Sequence, residues 1–266
     1  MAATRPMAPY DSRPPSLPPT CAVNADELGL REVATDLRRA NQALEQFVYV
    51  AAHDLQEPLR MMTSFTELFA RRYHDVVDET GQQYLDFARS GAQQMKALLN
   101  DLVEYSRVSN DLAPPTLVAL AASMAAVEDI LRSALEDSDA LLEIGELPEV
   151  VGNPRQLRQV FYNLIRNSIL YREPARRLQI KVSANRISRG WQLEVSDNGR
   201  GVPADYRERV FVVFQRLTRD RSAPGTGMGL PICNKIIEMH GGQIWLDTNR
   251  MRGTSVFFTL PDASLV

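Results

Sequence analysis

A long run of apolar residues at helical spacing dominates the first third of the chain. Its members are Leu30, Val33, Leu37, Ala40, Leu44, Phe47, Ala51, Leu55, Leu59, Met62, Phe65 and Phe69. Steps of three and four residues separate them, as along the seam of a coiled coil. The run predicts a helix of about 45 residues, far longer than an ordinary globular helix. Such a helix must pack along its length against a partner, because propensity alone does not hold it in water.

A second amphipathic helix is predicted over residues 79–107. One face of it carries Tyr84, Phe87, Ala88, Met95, Leu98, Leu99, Leu102 and Tyr105. The polar residues 73–78 leave room only for a short turn, so the two helices should form a hairpin. A single hairpin buries too little apolar surface, and the simplest remedy is a four-helix bundle made by two chains. The sequence therefore predicts a homodimer.

One histidine lies in the middle of the first helix, in the stretch FVYVAAHDLQEPLR. With Ala51 and Leu55 on the apolar seam, His53 points towards solvent. Pro58 has no N–H to donate to the carbonyl four residues earlier, so the helix should bend or loosen just after the histidine. An imidazole in this position is accessible to a second domain. A surface histidine without a role is the alternative, and the motifs further along the chain decide between the two.

The 266 residues leave room for two domains behind a proline-rich start. Residues 1–26 lack apolar periodicity, which predicts a disordered tail. Residues 27–110 are assigned to the dimerising hairpin and residues 111–266 to a second domain. No apolar run approaches the roughly 20 residues of a membrane span, and two distant cysteines indicate neither a disulfide framework nor a zinc site. The missing span predicts a cytoplasmic chain that does not bind a membrane, and the net charge of −3 gives no sign of nucleic-acid binding.

The second domain mixes helical and strand patterns. Helices are predicted over residues 118–135, 154–172 and 230–240, and strands over 141–152, 178–198, 243–248 and 254–260. Asn153 and Pro154 supply a cap and a first-turn residue for the middle helix. The pattern predicts an α+β sandwich, with helices on one face of a mostly antiparallel sheet.

Three short motifs in this domain suit nucleotide binding. Asn163 and Asn167 lie one turn apart on one helix face, where amide oxygens suit a Mg²⁺ ion that bridges phosphates. In DNGRG at 197–201, the aspartate can accept from an exocyclic amine and the glycines let backbone approach a flat ligand. GTGMGL at 225–230 leads into a helix whose N-terminus can face phosphates. Each motif is weak alone, and their order along the chain is the stronger signal.

With these motifs in order, the sequence resembles the sensor histidine kinases of two-component signalling, particularly the phytochrome-like branch. FVYVAAHDLQEPLR is similar to the family's H box, QLRQVFYNLIRNSILYR to its N box and DNGRG to its G1 box. VFVVFQRL is similar to the F box, and GTGMGLPICNKIIEMHGG to the G2 box. The resemblance covers roughly residues 28–261. It implies a HisKA-type dimerisation and phosphotransfer domain followed by a GHKL-type ATP-binding domain.

The resemblance implies an ATP-dependent protein histidine kinase that passes its phosphoryl group to a response-regulator receiver domain. His53 would accept the γ-phosphoryl group of ATP on Nε2. Asp54 would hold or deprotonate the imidazole so that this nitrogen is nucleophilic. Arg216 would neutralise charge on the γ-phosphate.

The remaining implied roles concern the nucleotide. Asp197 would bind the adenine amine, and Asn163 and Asn167 would hold Mg²⁺ and the phosphate oxygens. The nucleotide lid and the start of its helix would be shaped by Gly199, Gly201, Gly225, Thr226, Gly227, Gly229 and Leu230. Phosphoryl transfer asks mainly for positioning and charge stabilisation, so this set suffices without a covalent intermediate on the ATP domain.

Three features depart from the family's pattern. Leu170 stands where the N box usually has a lysine that reaches the phosphates, so Arg172 or an arginine of the lid is the candidate to compensate. Glu57 lies where many members carry a Thr or Asn used in phosphatase action. Only residues 1–26 precede the first helix, which predicts a separate sensor protein, a longer parent chain or a relay.

Three functions follow as hypotheses. The chain is a kinase that phosphorylates itself on His53, an ATP-independent phosphotransfer relay derived from such a kinase, or a scaffold that binds a nucleotide or a regulator. The intact DNGRG and GTGMG motifs favour the kinase. Leu170 keeps the relay in consideration.

Overall fold

The computed structural model describes residues 20–110, 113–215, 225–247 and 253–262. The chain divides into two compact units, residues 1–46 and residues 47–266. In the first unit, residues 20–46 are helical, and an exposed ion pair joins Arg39 to Asp36 at 3.7 Å. The helix begins at Thr20, so the end of the predicted tail is helical rather than disordered. The physical reason is that no proline follows Pro19 in this part of the chain to stop a helix.

Two long helices make the predicted hairpin. Helix α1 is Thr20–Arg72 and helix α2 is Glu79–Asn110, with residues 73–78 between them as expected. Side-chain hydrogen bonds tie the helices together. Gln56 donates to Asn100 at 3.0 Å, and Arg107 donates to the hydroxyl of Tyr49 at 3.3 Å while lying over its ring. The α-helix continues through Pro58.

The apolar residues of the hairpin fall into two groups. Ala52, Leu59, Ala92 and Val103 are buried. The larger group is exposed in the single chain, with relative exposures between 47% and 75%: Leu55, Met62, Phe65, Phe69 and Phe87. The seam expected from the sequence is therefore split between an inner face and an outer one.

The second half is a mixed α/β arrangement. Its elements are β1 (Thr116–Ala119), α3 (Leu120–Asp137), β2 (Leu141–Ile144), β3 (Glu149–Gly152), α4 (Pro154–Leu170), β4 (Gln179–Ile187), β5 (Gly190–Asp197), α5 (Gly229–Met239), β6 (Ile244–Leu246) and β7 (Thr254–Pro261). Five strands form one sheet in the order β2-β4-β5-β7-β6, in which only the β2–β4 pairing is parallel. One cluster of buried residues joins the three helices to this sheet. The predicted fold class, a helical hairpin followed by a helix-and-sheet domain, is confirmed.

The structure differs from the sequence expectation at one end of the sheet. Strands β2 and β3 both lie within the stretch 141–152 that was predicted as strand, and they do not pair with each other. Strand β2 joins the main sheet beside β4, and β3 pairs antiparallel with β1. Strand β1 was not predicted, because its four residues run into α3 without a turn that would separate the two patterns.

The start of α4 shows how local chemistry fixes the helix that carries the asparagine pair. The side chain of Asn153 accepts from the backbone N–H of Arg155 at 3.0 Å and of Gln156 at 3.3 Å, and Pro154 occupies the first turn. His240 receives the backbone N–H of Asn153 on Nε2 at 3.0 Å, and its Nδ1 lies 2.8 Å from the carbonyl of Ile236. These bonds give His240 the structural role of joining the end of α5 to the start of α4.

No helix in the described part of the chain combines the length and the apolar character that a membrane crossing requires.

Candidate functional site

His53 lies on α1 with its imidazole largely in solvent. The side chains of His53 and Asp54 are 71% and 73% exposed, and Nδ1 of the histidine lies 3.4 Å from the carboxylate of Asp54. Nε2 makes no hydrogen bond with any described residue. If Nδ1 carries the proton and donates it towards Asp54, the lone pair resides on Nε2 and faces no competing partner.

A polar cavity of about 530 Å³ lies beside this histidine. It is bounded by α1, α2 and the first turns of α4. Its polar lining consists of Tyr49, His53, Gln56, Asn100, Glu104, Arg107, Arg155, Gln156 and Gln159. The histidine thus borders a space large enough for a phosphoryl group and its donor.

A second cavity, of about 100 Å³, lies where α4, the end of β5 and the loop before α5 meet. Its polar and glycine lining consists of Arg166, Asn167, Ser168, Tyr171, Asp197, Gly201, Gln215, Gly225, Thr226, Gly227, Gly229 and Thr254. Leu164, Leu170, Val195, Val202, Val210, Leu230 and Val256 supply an apolar wall. An apolar wall with a few converging polar groups is typical of a small-molecule site.

Hydrogen bonds from side-chain and backbone donors hold the carboxylate of Asp197 in this cavity. Ser168 donates its hydroxyl at 3.0 Å, and the backbone N–H groups of Gly199 and Thr254 donate at 2.9 and 3.1 Å. A carboxylate held in this way presents a fixed acceptor to a ligand. The end of β5 provides this position because β7 pairs with it along its whole length.

The DNGRG loop packs closely on the end of α4. A Cβ at position 199 would lie 2.7 Å from the carbonyl oxygen of Tyr171, so only glycine fits there. In the other glycine loop, Gly225 has a φ of +104° and faces the Tyr171 hydroxyl and Leu170. Both loops therefore contact the same end of α4.

Most residues predicted to bind nucleotide line this cavity, with three exceptions. Asn163 is only 6% exposed and does not line it; the side chain lies beside the buried Cys233, and its amide nitrogen has no hydrogen-bond partner among the described residues. Gly199 shapes the loop from outside the lining. Arg216 lies outside the described residues.

Sequence reasoning missed five polar residues of this cavity: Arg166, Ser168, Tyr171, Gln215 and Thr254. Arg166 could have been predicted from the sequence, because it lies three residues after Asn163 and four before Leu170 on the same helix face. Arg172, which was expected to compensate for Leu170, does not line the cavity. It donates to the backbone carbonyl of Ile169 at 3.1 Å.

Contacts from α2 reach the second half of the chain directly. The hydroxyl of Thr226, in the glycine loop, donates to the carboxylate of Asp101. Lys235 of α5 donates to the backbone carbonyl of Tyr105 at 3.2 Å and lies over its ring, and Gln156 donates to the carbonyl of Val108 at 3.0 Å. One wall of the second cavity is thus connected to the helix that faces His53.

The surroundings of Glu104 on α2 change the pKa of its carboxyl group. Partial removal from water raises the pKa of the Glu104 carboxyl, and the neighbouring Asp101 raises it further. Arg155, Arg166 and Arg107 oppose this rise. Two acids and several arginines therefore share the region between the two cavities.

The donors at the second cavity suit a magnesium ion that arrives with phosphate. Among the described residues, no group of three or more His, Cys, Asp or Glu side chains could hold a metal alone. Asn167 lies on the cavity wall and offers an amide oxygen. Mg²⁺ commonly keeps water and phosphate oxygens and takes only one or two protein ligands, so this set fits such an ion.

Comparison with known proteins identifies both halves of the chain. The family model described as "His Kinase A (phospho-acceptor) domain" matches residues 43–111. The model described as "Histidine kinase-, DNA gyrase B-, and HSP90-like ATPase" matches residues 152–264. Together they match well over half of the chain.

Curated relatives include two phytochromes and one sensor kinase. The phytochrome-like protein Cph1 of Synechocystis is 38% identical over 235 residues, which is 87% of this chain and 31% of the relative. Cyanobacterial phytochrome A of Nostoc is 38% identical over 89% of this chain and 31% of the relative. The sensor protein kinase WalK of Staphylococcus saprophyticus is 31% identical over 85% of this chain and 38% of its own length. The chain spans about a third of the length of these relatives.

Solved structures share the fold. Full-length ShkA in complex with AMPPNP superposes with a TM-score of 0.59 at 20% identity, covering 81% of this chain and 45% of ShkA. The Acinetobacter baumannii histidine kinase AdeS superposes with a TM-score of 0.51 at 20% identity, covering 77% of this chain and 96% of AdeS. With both domain models matched in order, the chain belongs to the sensor histidine kinases of two-component signalling.

Proposed function

We propose that the chain is a histidine kinase core that moves the γ-phosphoryl group of Mg-ATP to His53 and then to a response-regulator aspartate. The observation that carries the proposal is the presence of two complementary sites in one chain. One is the exposed pair of His53 and Asp54, with Nε2 open to solvent. The other is a cavity in which Asp197 is held rigidly beside a glycine loop.

In the proposed complex, the adenine enters the apolar wall and its amine donates to Asp197. The fixed carboxylate would select adenine because its acceptor matches an exocyclic amine. The ring of Tyr171 lines the same cavity and offers a face for a purine. ShkA, which shares this fold, was solved in complex with AMPPNP, which supports an adenine nucleotide here.

The phosphates would extend along the glycine loop towards α5. Gly225, Gly227 and Gly229 line the cavity just before that helix begins, where backbone N–H groups attract anions. Asn167 would hold Mg²⁺ through its amide oxygen, and Asn163 would join it after a change of rotamer. The ion supplies charge neutralisation for the transferring group. Arg216 remains a proposed contact of the γ-phosphate.

The chemical step uses the open nitrogen of His53. The lone pair on Nε2 attacks the γ-phosphorus, the new N–P bond forms as the bond to the bridging oxygen breaks, and ADP leaves. Asp54 holds the proton on Nδ1 and stabilises the positive charge that develops on the ring. In the second transfer, an aspartate oxygen of the receiver attacks phosphorus, and the N–P electrons return to Nε2.

The two sites must move relative to one another for this step to occur. The cavity beside His53 and the nucleotide cavity share no lining residue. The nucleotide cavity, at about 100 Å³, is also smaller than the roughly 300–1,000 Å³ usual for ligands. ATP binding therefore requires this cavity to widen, and transfer requires release of the contact between α2 and the glycine loop or delivery from a second chain.

The proposal also includes the partners of the chain and its cellular location. The exposed apolar side chains of the hairpin support a homodimer that pairs these faces into a four-helix bundle. We propose residues 27–110 as the dimerisation and phosphotransfer domain and residues 111–266 as the ATP-binding domain. A receiver domain would dock beside His53, and a sensor would act through α1. Use of ATP and of a response regulator would place this work in the cytoplasm.

A labelling assay tests the kinase. The chain is incubated with Mg-ATP labelled at the γ-phosphate, beside the variants His53→Ala and Asp197→Asn. We expect acid-labile, base-stable label on the wild type, none on His53→Ala and strongly reduced label on Asp197→Asn. Label that persists on His53→Ala would contradict the assignment of the acceptor.

The relay is retained as a second candidate because of Leu170, an aliphatic residue in the wall where phosphates would pass. A relay would accept phosphoryl from a phosphorylated partner on His53 without using ATP. If the wild type takes no label from ATP but accepts it from a phosphorylated receiver, the relay replaces the kinase.

A further inference from the structure

We propose that Arg166 of α4 is the cation that binds the polyphosphate of ATP, in place of a charge at Leu170. This assignment rests on the proposed nucleotide function and deepens it, because it states how a pocket with a leucine in its wall still recognises a charged ligand. It also replaces the sequence-based candidate Arg172.

The charge composition of the cavity is the first argument. Among the described residues that line it, Arg166 is the only Lys or Arg, and Asp197 is the only acid. Asp197 is committed to Ser168, Gly199 and Thr254. A polyphosphate brings several negative charges, and charge-assisted hydrogen bonds from a cation are the strongest contacts available to it. Within the described part of the wall, only Arg166 can supply them.

The placement of Arg166 on the helix is the second argument. It adjoins Asn167 in sequence and lies one turn before Leu170, and all three line the cavity. The guanidinium makes no hydrogen bond and no close ion pair with another described residue. One electrostatic neighbour of Arg166 is Glu104 of α2, an acid whose pKa is raised by partial burial. The side chain is therefore exposed at the cavity and available to a ligand.

The contrast with Arg172 is the third argument. Arg172 lies just past the end of α4, donates to the carbonyl of Ile169 and is absent from the cavity lining. Its cation thus satisfies one orphan carbonyl of the helix end. The planar guanidinium of Arg166 can instead contact two phosphate oxygens at once, which a lysine cannot do in the same geometry.

Titration calorimetry with three ligands tests this assignment. ATP, ADP and adenosine are titrated in the presence of Mg²⁺ into the wild type, Arg166→Gln and the matched control Arg172→Gln. For Arg166→Gln we expect ATP to bind about tenfold more weakly, with a smaller loss for ADP and none for adenosine. Arg172→Gln is expected to match the wild type for all three ligands. Circular dichroism confirms that each variant is folded.

A second-site variant separates charge from shape. In the double variant Arg166→Gln with Leu170→Lys, a cation returns to the same wall one turn away, and ATP affinity should recover most of the loss. Absence of recovery would overturn the claim that a cation on this wall is what recognises the phosphates.

Other outcomes of the titrations also test the assignment of Arg166. Unchanged ATP affinity in Arg166→Gln overturns the assignment, and an equal loss for ATP and adenosine overturns it by showing a structural role. Both results leave the proposed kinase standing, since the wild type still binds ATP. A wild type that binds no adenine nucleotide contradicts the proposed function itself and removes this assignment with it.

Discussion

Cys233 illustrates how a single side chain in α5 is controlled by its surroundings. It is completely buried, and its Sγ lies 3.8 Å from the carbonyl of Val160. Burial raises the pKa of the thiol to about 12. A thiol that stays protonated and enclosed does not react with alkylating agents in the native state. We therefore expect iodoacetamide at pH 8 to modify Cys233 only after unfolding, as measured by mass spectrometry in a Cys21→Ser background.

The raised pKa of the Cys233 thiol also makes the stability of the fold depend on pH. The unfolded thiol loses its proton near its ordinary pKa of 9.0, whereas the folded thiol holds it up to about 12. The native state then binds more protons, so the free energy of unfolding falls as the pH rises between these values.

The control for the iodoacetamide experiment is the same labelling in guanidinium chloride, where Cys233 should react fully. Rapid modification of the folded chain at pH 8 would contradict the burial of this thiol.

Residues differ in how readily the sequence discloses their roles. Asn153 was predicted as a helix cap because its signal, an Asn-Pro pair before an amphipathic run, is local. The contact between Asp101 and Thr226 joins residues 125 positions apart, and no local pattern encodes it. Asn163 had the right helical spacing, but the packing that turns it towards Cys233 depends on another helix. Spacing identifies a helix face, and tertiary packing decides which members of that face reach a ligand.

At the scale of elements, α2 restrains the glycine loop that would bind phosphates. Asp101 accepts from Thr226, which also receives the backbone N–H of Met228 at 3.3 Å. A carboxylate at this loop repels a polyphosphate and holds the loop towards α2. In Asp101→Ala we expect ATP to bind about fivefold more tightly, a difference of roughly 1 kcal/mol. Calorimetric titration with Mg-ATP measures this change.

The matched control for Asp101→Ala is Asp129→Ala, which removes an exposed acid of α3 that pairs with Arg132. It should leave ATP affinity unchanged. Equal or weaker ATP binding by Asp101→Ala would show that the contact supports the nucleotide site rather than opposing it.

A second prediction concerns Glu104, one turn along α2. Its raised pKa means that the native state holds the proton more tightly than the unfolded state does. Stability is therefore lost as the pH rises from the ordinary value of 4.5 through the raised folded value, and the loss is complete above it. Glu104→Gln lacks this titration, so its melting temperature should exceed that of the wild type by a few degrees at pH 8 and by less near pH 4.5. Thermal scans across this interval measure the difference.

Glu128→Gln, at an exposed position of α3, serves as the control for Glu104→Gln. We expect its melting temperature to follow the wild type at every pH. A gap between Glu104→Gln and the wild type that is independent of pH would assign the effect to packing rather than to charge.

Elements were predictable where their pattern was long or bounded by turn residues. The hairpin of β4 and β5 and the helix α5 follow the sequence expectation closely, because Gly190 and the Gly241-Gly242 pair delimit them. Strand β1 has four residues and no delimiting turn, so its pattern merged with that of α3. The pairing of β2 with β4 depends on a partner about 40 positions away and is set by the core.

For the whole molecule, the hairpin presents more apolar surface than a single chain can cover. Phe65 and Phe87 are 68% and 75% exposed, and both belong to the outer group of the hairpin. Single exposed apolar residues are common, but a row of large ones along two helices marks an interface. The sequence predicted this face from its spacing, yet it could not separate the residues that pack within the hairpin from those that pack between chains.

Substitution in this outer group tests the dimer. In a two-fold dimer Phe65 would be buried twice, and losing both rings would cost about 4 kcal/mol, equivalent to roughly a thousandfold in the dissociation constant. Phe65→Glu adds a charge to the same apolar surface. By light scattering after size exclusion, the wild type should have twice the 29.8 kDa mass of the chain and Phe65→Glu the mass of one chain. Ile130→Glu, at a 61% exposed site on α3, should remain dimeric. A dimer that survives Phe65→Glu would place the dimer contact on another surface. A monomeric wild type would contradict the dimer itself and require transfer to His53 within one chain.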